Sequence, residues 1–137
     1  MVTVLKKIEK DISTLRNTLE WLEAEGDLLV TDVEVDPDLE ITGIQKSLDG
    51  SIPILFNKVK GYPHARAITN LFANMRVVDK MFGFESPQDR KRKIAHAINH
   101  PLKPVEIPQD QAPCQEEVIT DDLDVNKYIV AIRHTEL

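Results

Sequence analysis

Apolar residues recur at Leu5, Ile8, Ile12, Leu15, Leu19 and Leu22, in alternating steps of three and four. That spacing lays one apolar stripe along a helix. It predicts a helix of about 20 residues, roughly 30 Å long, which Gly26 ends by taking a left-handed conformation. The stripe suits either a coiled-coil pairing face or docking on the domain's own core. It is confined to three heptads, which favours the core. Residues 28–35 then alternate, with Leu29, Thr31, Val33 and Val35 on one face, as in a half-buried strand. Asp36-Pro37 carries the signature of a helix start, with Asp as N-cap and Pro in the first turn. Leu39, Ile41, Ile44 and Leu48 supply that helix's core side.

Asp49-Gly50 turns the chain into a second strand, residues 52–59. Its run Ile54-Leu55-Phe56 is apolar on both faces. Gly61-Tyr62-Pro63 turns again into a third strand over 66–72. Asn74 caps a short helix bearing Val77, Val78, Met81 and Phe82, closed by Gly83. Ser86-Pro87-Gln88-Asp89 reads as a capping box that opens a helix running to about Asn99. Residues 101–112 are proline-rich and extended. Strand-like pieces follow at 114–119 and 128–132, with an acidic turn at 121–127 between them. The order helix, strand, helix, strand, strand, helix, helix predicts an α+β fold. The strand-like pieces of the tail find no partner in this pattern.

Composition narrows the class. The 137 residues are 42% hydrophobic and 29% charged, which describes a globular domain with a real core. The net charge of −6 argues against a dedicated nucleic-acid binder. No apolar run reaches the roughly 18 residues of a membrane span. The N-terminus shows no uninterrupted apolar region with a cleavage site. With one cysteine, Cys114, and no internal disulfide to form, a cytoplasmic setting is expected. The closing His134-Thr135-Glu136-Leu137 resembles an endoplasmic-reticulum retention signal, which is meaningful only on a secreted chain.

Candidate chemistry is sparse. Arg90-Lys91-Arg92-Lys93 could contact phosphate, but Ile94, Ala95 and Ile98 give the segment an apolar side, so the run reads as a solvated helix face. No aromatic residues alternate with it, as they do in single-strand binders. His96 and His100 are spaced to share a helix face, but zinc requires a third ligand. Cys114 has no cationic sequence neighbour to lower its pKa. Asp121-Asp122-Leu123-Asp124 lacks the glycine and the later glutamate of a calcium loop. No glycine-rich phosphate loop and no Gly-x-Ser-x-Gly elbow is present. No catalytic, cofactor-binding or metal-ligating residue is assigned to any position.

Four stretches carry a family likeness. They are Leu19-Glu20-Trp21-Leu22-Glu23-Ala24-Glu25-Gly26-Asp27-Leu28-Leu29; Val33-Glu34-Val35-Asp36-Pro37-Asp38-Leu39-Glu40-Ile41; Leu55-Phe56-Asn57-Lys58-Val59-Lys60-Gly61-Tyr62-Pro63 leading to Thr69-Asn70-Leu71-Phe72; and Ala112-Pro113-Cys114-Gln115-Glu116-Glu117-Val118-Ile119. In this order and spacing they resemble the N-terminal region of the UbiD family of decarboxylases, from about Ser13 onward. One departure stands out: many members carry Leu-Pro-x-Pro where this chain has Val130, Ala131 and Ile132.

The resemblance implies a (de)carboxylase of aromatic or α,β-unsaturated acids that uses prenylated FMN, with manganese or magnesium and potassium. It implies a small, three-layer-like N-terminal α/β domain, residues 1–104. A linker and the first strands of a split-barrel flavin domain would follow over 105–137. The family's metal ligands and its Glu-Arg-Glu network lie beyond the matched segment. This stretch alone is therefore expected to be inactive and to carry no cofactor of its own. It would be a truncation, a proteolytic piece or a split gene product, ending just before the cofactor-binding part. The expected partner is the remainder of the enzyme, in cis or as a separate subunit, within a homo- or hetero-oligomer, with no nucleic acid and no membrane. The alternative is a non-catalytic small subunit or interaction module that docks on a catalytic UbiD-like partner.

Overall fold

The structure is a computed structural model that describes residues 8–115 and 117–135. Its elements run α1 (Leu15–Ala24), β1 (Leu29–Thr31), α2 (Glu40–Ser47), β2 (Ile54–Phe56), β3 (Ala67–Thr69), α3 (Met75–Phe82) and α4 (Pro87–Asn99). The three strands form one sheet in the order β1-β2-β3, parallel across the first pair and antiparallel across the second.

Alternation along the central strand creates two cores. Leu55 points to one face, where α1 and α3 bury Leu19, Trp21, Leu22, Val77 and Met81 against it. Ile54 and Phe56 point to the other, where Ile41 of α2 packs with Val35, Val59 and Ala67. Helices therefore cover both faces of an α+β sheet, as the apolar run at 54–56 requires.

The first helix is shorter than its stripe. Thr14 caps it by accepting from Asn17 N (3.1 Å), and Asp11 accepts from Ser13 N (2.8 Å) and Asn17 Nδ2 (2.6 Å). These polar groups hold the preceding chain in a turn, so α1 begins at Leu15. Leu19 and Leu22 enter the core, whereas Ile8, Ile12 and Leu15 are exposed. The expected start at Leu5 lies outside the described residues.

The first expected strand is broken. Its backbone pairs with the second over Leu29–Thr31, loses contact, and pairs again where Val35 bridges Val59. The chain uses one more residue from Thr31 to Val35 than its partner uses from Phe56 to Val59. That extra residue is a bulge, and it reverses the alternation. Val35 is buried as expected, but Val33 is 70% exposed. The third strand stops at Thr69 because Asn70 turns left-handed (φ 59°) and donates its amide to Gln45 O (3.0 Å).

The second helix starts at Glu40 rather than after Asp36. Asp36 Oδ1 accepts from Asp38 N (2.9 Å), an Asx turn that competes with the first helical turn. Leu39 then takes a left-handed conformation (φ 69°). The later helices follow their expected caps. Asn74 accepts from Arg76 N, Gly83 ends α3 at φ 66°, and Ser86 opens α4 by accepting from Asp89 N (3.1 Å).

Neither strand-like piece of the tail forms a strand among the described residues. Pro113–Gln115 is a 3-10 turn, and residues 117–120 join no ladder. Residues 128–132 leave another 3-10 turn, Val125–Lys127, and fold back on the domain. There Val130 and Ile132 pack against the α2-side core. The tail thus has a partner after all: side-chain packing on its own domain.

Candidate functional site

Three features of the surface are organised enough to act. The first is a charged cluster at the α1 end of the α3 face. Asp27, 4% exposed, follows the glycine that ends α1. It accepts from Arg76 Nη2 and Lys80 Nζ, each at 2.5 Å. Lys80 also meets Glu25 at 2.9 Å and lies over the Trp21 ring, where Lys10 approaches as well. Burial pushes the Asp27 carboxyl up, but the hydrogen bonds from Lys80 and Arg76 outweigh it and hold the group below the usual carboxylate value. Lys80 is raised by Asp27 and Glu25. Both partners are locked in their charged forms at neutral pH. The cluster therefore offers no group poised for proton transfer there.

The second feature is a groove of about 470 Å³ between α3 and α4. Val78, Phe82, Phe84, Ile94 and Ala97 give it carbon walls, with Arg90 and Lys93 beside them. Those cations are already engaged. Arg90 pairs with Asp79 (2.6 Å), and Lys93 pairs with Asp89 (2.8 Å) and donates to Gly83 O (2.8 Å). Arg92 also pairs with Asp89 (2.7 Å). Hydrogen bonds from Lys93 and Arg92 and from the Glu85 backbone drive the Asp89 carboxyl far below its ordinary value. The basic run thus stitches α4 to itself and to α3.

The third feature is a clasp on the returning tail. Arg133 N donates to Pro37 O (3.0 Å), Thr42 Oγ1 donates to Arg133 O (2.8 Å), and Arg133 Nε meets Asp38 Oδ1 at 2.6 Å. His134 Nδ1 lies 3.4 Å from the Thr42 hydroxyl.

The other residues singled out by sequence do not converge. The His96 and His100 rings stack with centroids 4.1 Å apart on an exposed face, and His100 Nδ1 sits 2.9 Å from His96 O. No group of three or more metal-ligating side chains occurs among the described residues. Cys114 is exposed on its 3-10 turn. Asp124 caps the turn at Val125–Lys127 through Asn126 N, and Asp122 pairs with Lys127, so this acidic stretch is a turn. No helix among the described residues is long and apolar enough to cross a membrane.

Sequence reasoning missed Asp27 and the clasp. Arg76 and Lys80, four residues apart on α3, were a legible signal for a shared anionic partner. Nothing local pointed to Asp27 as that partner, or to Thr42 and Asp38 as receptors for Arg133.

Comparison with known proteins follows the same outline. The model of the 3-octaprenyl-4-hydroxybenzoate carboxy-lyase N-terminal domain, UbiD_N, matches residues 19–98, more than half of the chain. Gallate decarboxylase of Lactiplantibacillus plantarum is 32% identical over 77% of this chain and 24% of its own length. Phenolic acid decarboxylase of Sedimentibacter hydroxybenzoicus is 28% identical over 96% of this chain and 28% of its own. The chain thus spans about a quarter of the curated relatives it matches.

Among solved structures, S. hydroxybenzoicus vanillic acid decarboxylase in its closed form superposes with a TM-score of 0.75 at 27% identity. That superposition covers 96% of this chain and 28% of that one. The UbiD-class enzyme HmfF of Pelotomaculum thermopropionicum, in complex with FMN, superposes at 0.74 with 30% identity, over 89% of this chain and 27% of that one. An evolved dimeric form of HmfF has been solved with prFMN.

Proposed function

Because the chain belongs to the UbiD family of decarboxylases, through that family's N-terminal domain, we propose that it is the scaffolding N-terminal portion of a UbiD-type (de)carboxylase. That enzyme uses prenylated FMN and acts on aromatic or α,β-unsaturated acids. One observation carries the reading: nearly the whole chain superposes on about a quarter of a UbiD-class enzyme, within a family match to the N-terminal domain. In this reading the catalytic and metal-binding side chains lie outside residues 1–137. In this reading residues 1–104 are the domain and 105–137 lead towards the flavin domain. The assembled enzyme is cytoplasmic and oligomeric.

The described residues do not fit the cofactor's own site. They bring together no metal-ligand set. The α3–α4 groove presents carbon walls, and its two cations are already paired. When bound, the prenylated flavin supplies the electron-accepting chemistry of decarboxylation, and the protein orients it. No step is assigned to this chain. Its residues hold the layers together, anchor the returning tail through Thr42, Asp38 and Arg133, and present apolar surface.

A graft tests this. Residues 1–137 replace the matched region of the L. plantarum gallate decarboxylase. The chimera is expected to fold, load prenylated FMN and release CO2 from gallate. A folded, flavin-loaded chimera without turnover overturns the reading. So does stoichiometric retention of FMN by residues 1–137 alone in equilibrium dialysis.

A second reading is a separate subunit that docks on a catalytic partner. It draws on the vanillic acid decarboxylase, whose structures name a second component, ShVdcD. Activity from residues 1–137 supplied in trans, at a level equal to the graft, would favour it.

A further inference from the structure

Two surfaces of this chain are opposite in charge and alike in exposing isoleucine. The first is α4. From Arg90 to Val105 the chain holds five lysines and arginines and no acid, although its net charge is −6. Asp79 and Asp89 engage Arg90, Arg92 and Lys93, but Lys91 has no ion-pair partner among the described residues. Every residue from 91 to 99 is exposed, Ile98 by 72%. A helix of 13 residues is marginal alone and ordinarily gains its stability by burying a face. Here Lys91, Ala95 and Ile98 share a side, with Ile94 beside them, and that side is bare.

The second is the segment that enters α1, with the outer side of that helix. Ile8, Ile12 and Leu15 are exposed there. Residues 8–25 carry five acids against two bases, and one of those bases, Lys10, is drawn to Lys80 O (2.9 Å). Ile8, Glu9, Lys10, Asp11, Asn17 and Glu20 line a hollow of about 560 Å³. Glu9 and Glu20 have no ion-pair partner among the described residues. The two surfaces flank α3, which meets the first region through Lys80 and α4 through Asp79 and Gly83. We infer that α4 of one copy docks on this acidic surface of a second copy, with Ile98 entering the hollow and Lys91 meeting the Glu9 and Glu20 carboxylates, and that a two-fold axis repeats the contact reciprocally. Charge selects the occupant, because like faces repel and only unlike faces attract. Reciprocity closes the pair and buries both surfaces on each copy. The inference gives a surface to the oligomeric state proposed above. It is tested on the chain itself, so its failure leaves the functional reading standing.

Sedimentation equilibrium of residues 1–137 over a range of concentrations reads the contact. The parent is expected to be a reversible dimer that loosens as salt rises, because exposed charges are screened. Lys91→Glu and Glu20→Lys, each alone, are expected to weaken it at least roughly tenfold, since every dimer holds the contact twice. Mixed in equal amounts, the two variants are expected to regain the parent's affinity as a one-to-one heterodimer, because the reversed charges then face each other. Ile98→Ser is expected to weaken the dimer by removing its apolar anchor. Lys46→Glu, on α2 at the other face of the sheet, makes the same change in net charge as Lys91→Glu and is expected to leave the dimer unchanged.

All variants are first melted by circular dichroism under dilute conditions. They are expected to match the parent, because Glu20, Lys46, Lys91 and Ile98 are exposed. A monomeric parent overturns the inference. So does a dimer indifferent to both charge reversals, or one weakened equally by Lys46→Glu. Two variants that each dimerise poorly and still fail to combine when mixed overturn the pairing of unlike faces.

Discussion

Asp27 shows how much one side chain can hold. It is almost wholly buried, and two cations from α3 reach it across about fifty residues of sequence. Its carboxyl is depressed in the folded state, so its stabilising contribution is complete above the unfolded value of about 3.9 and is lost as pH falls below that through the folded value. Urea melts should therefore give a midpoint that is level from neutral pH down to about 5 and declines below about 4. Asp27→Asn should lower stability at pH 7 by about 1–2 kcal/mol, a modest figure because Arg76 and Lys80 keep solvent access. The same variant should flatten the acid limb; an unchanged limb would shift the credit to Asp89 and other carboxylates.

Elements here are set by their ends and their buried faces. Ser86→Ala removes the acceptor for Asp89 N and should cost about 1 kcal/mol, read as a fall in thermal midpoint and faster amide exchange in the first turn of α4. Phe56→Ala empties the centre of the α2-side core and should cost about 3–5 kcal/mol, enough to leave a domain of ordinary stability largely unfolded in mild urea. If Phe56→Ala melts like the parent, the two-core description fails. The caps of α3 and α4 were legible because Asn74, Gly83, Ser86 and Pro87 act on their immediate neighbours. The strands were less so. Each ladder is three residues long, and where it stops depends on a bulge at 32–34 and on Asn70 finding carbonyls on α2. The early start of α1 was over-read from a stripe whose first half is exposed, because Asp11, Ser13 and Thr14 bond the backbone into a turn.

At the scale of the molecule, the returning tail is the element with the most consequence. Thr42→Val combined with Asp38→Asn removes two of the contacts that hold Arg133. Limited proteolysis should then cut within 101–132 several-fold faster, while melting of the sheet shifts by only about 1 kcal/mol, the scale of the lost hydrogen bond. Equal cleavage rates in parent and variant would mean that the packing of Val130 and Ile132 alone holds the tail. The family membership was legible from four short stretches in register, and the match over residues 19–98 agrees with it. The active centre was not legible in any local motif, and the described residues assemble none of its metal-ligand sets.

The sequence by itself determined the helices with strong caps, the doubly buried centre of the sheet, the mixed α+β class and the family. Each of these rests on neighbours within a turn or on an order of motifs along the chain. Tertiary structure alone decided which carboxylate the α3 cations would meet, where the first strand would bulge, and that 128–132 would pack as a folded-back tail instead of a strand. The physical reason is the same in each case. A buried charge, a bulge and a tail are stabilised by groups distant in sequence, and their energies exist only once the chain has brought those groups together.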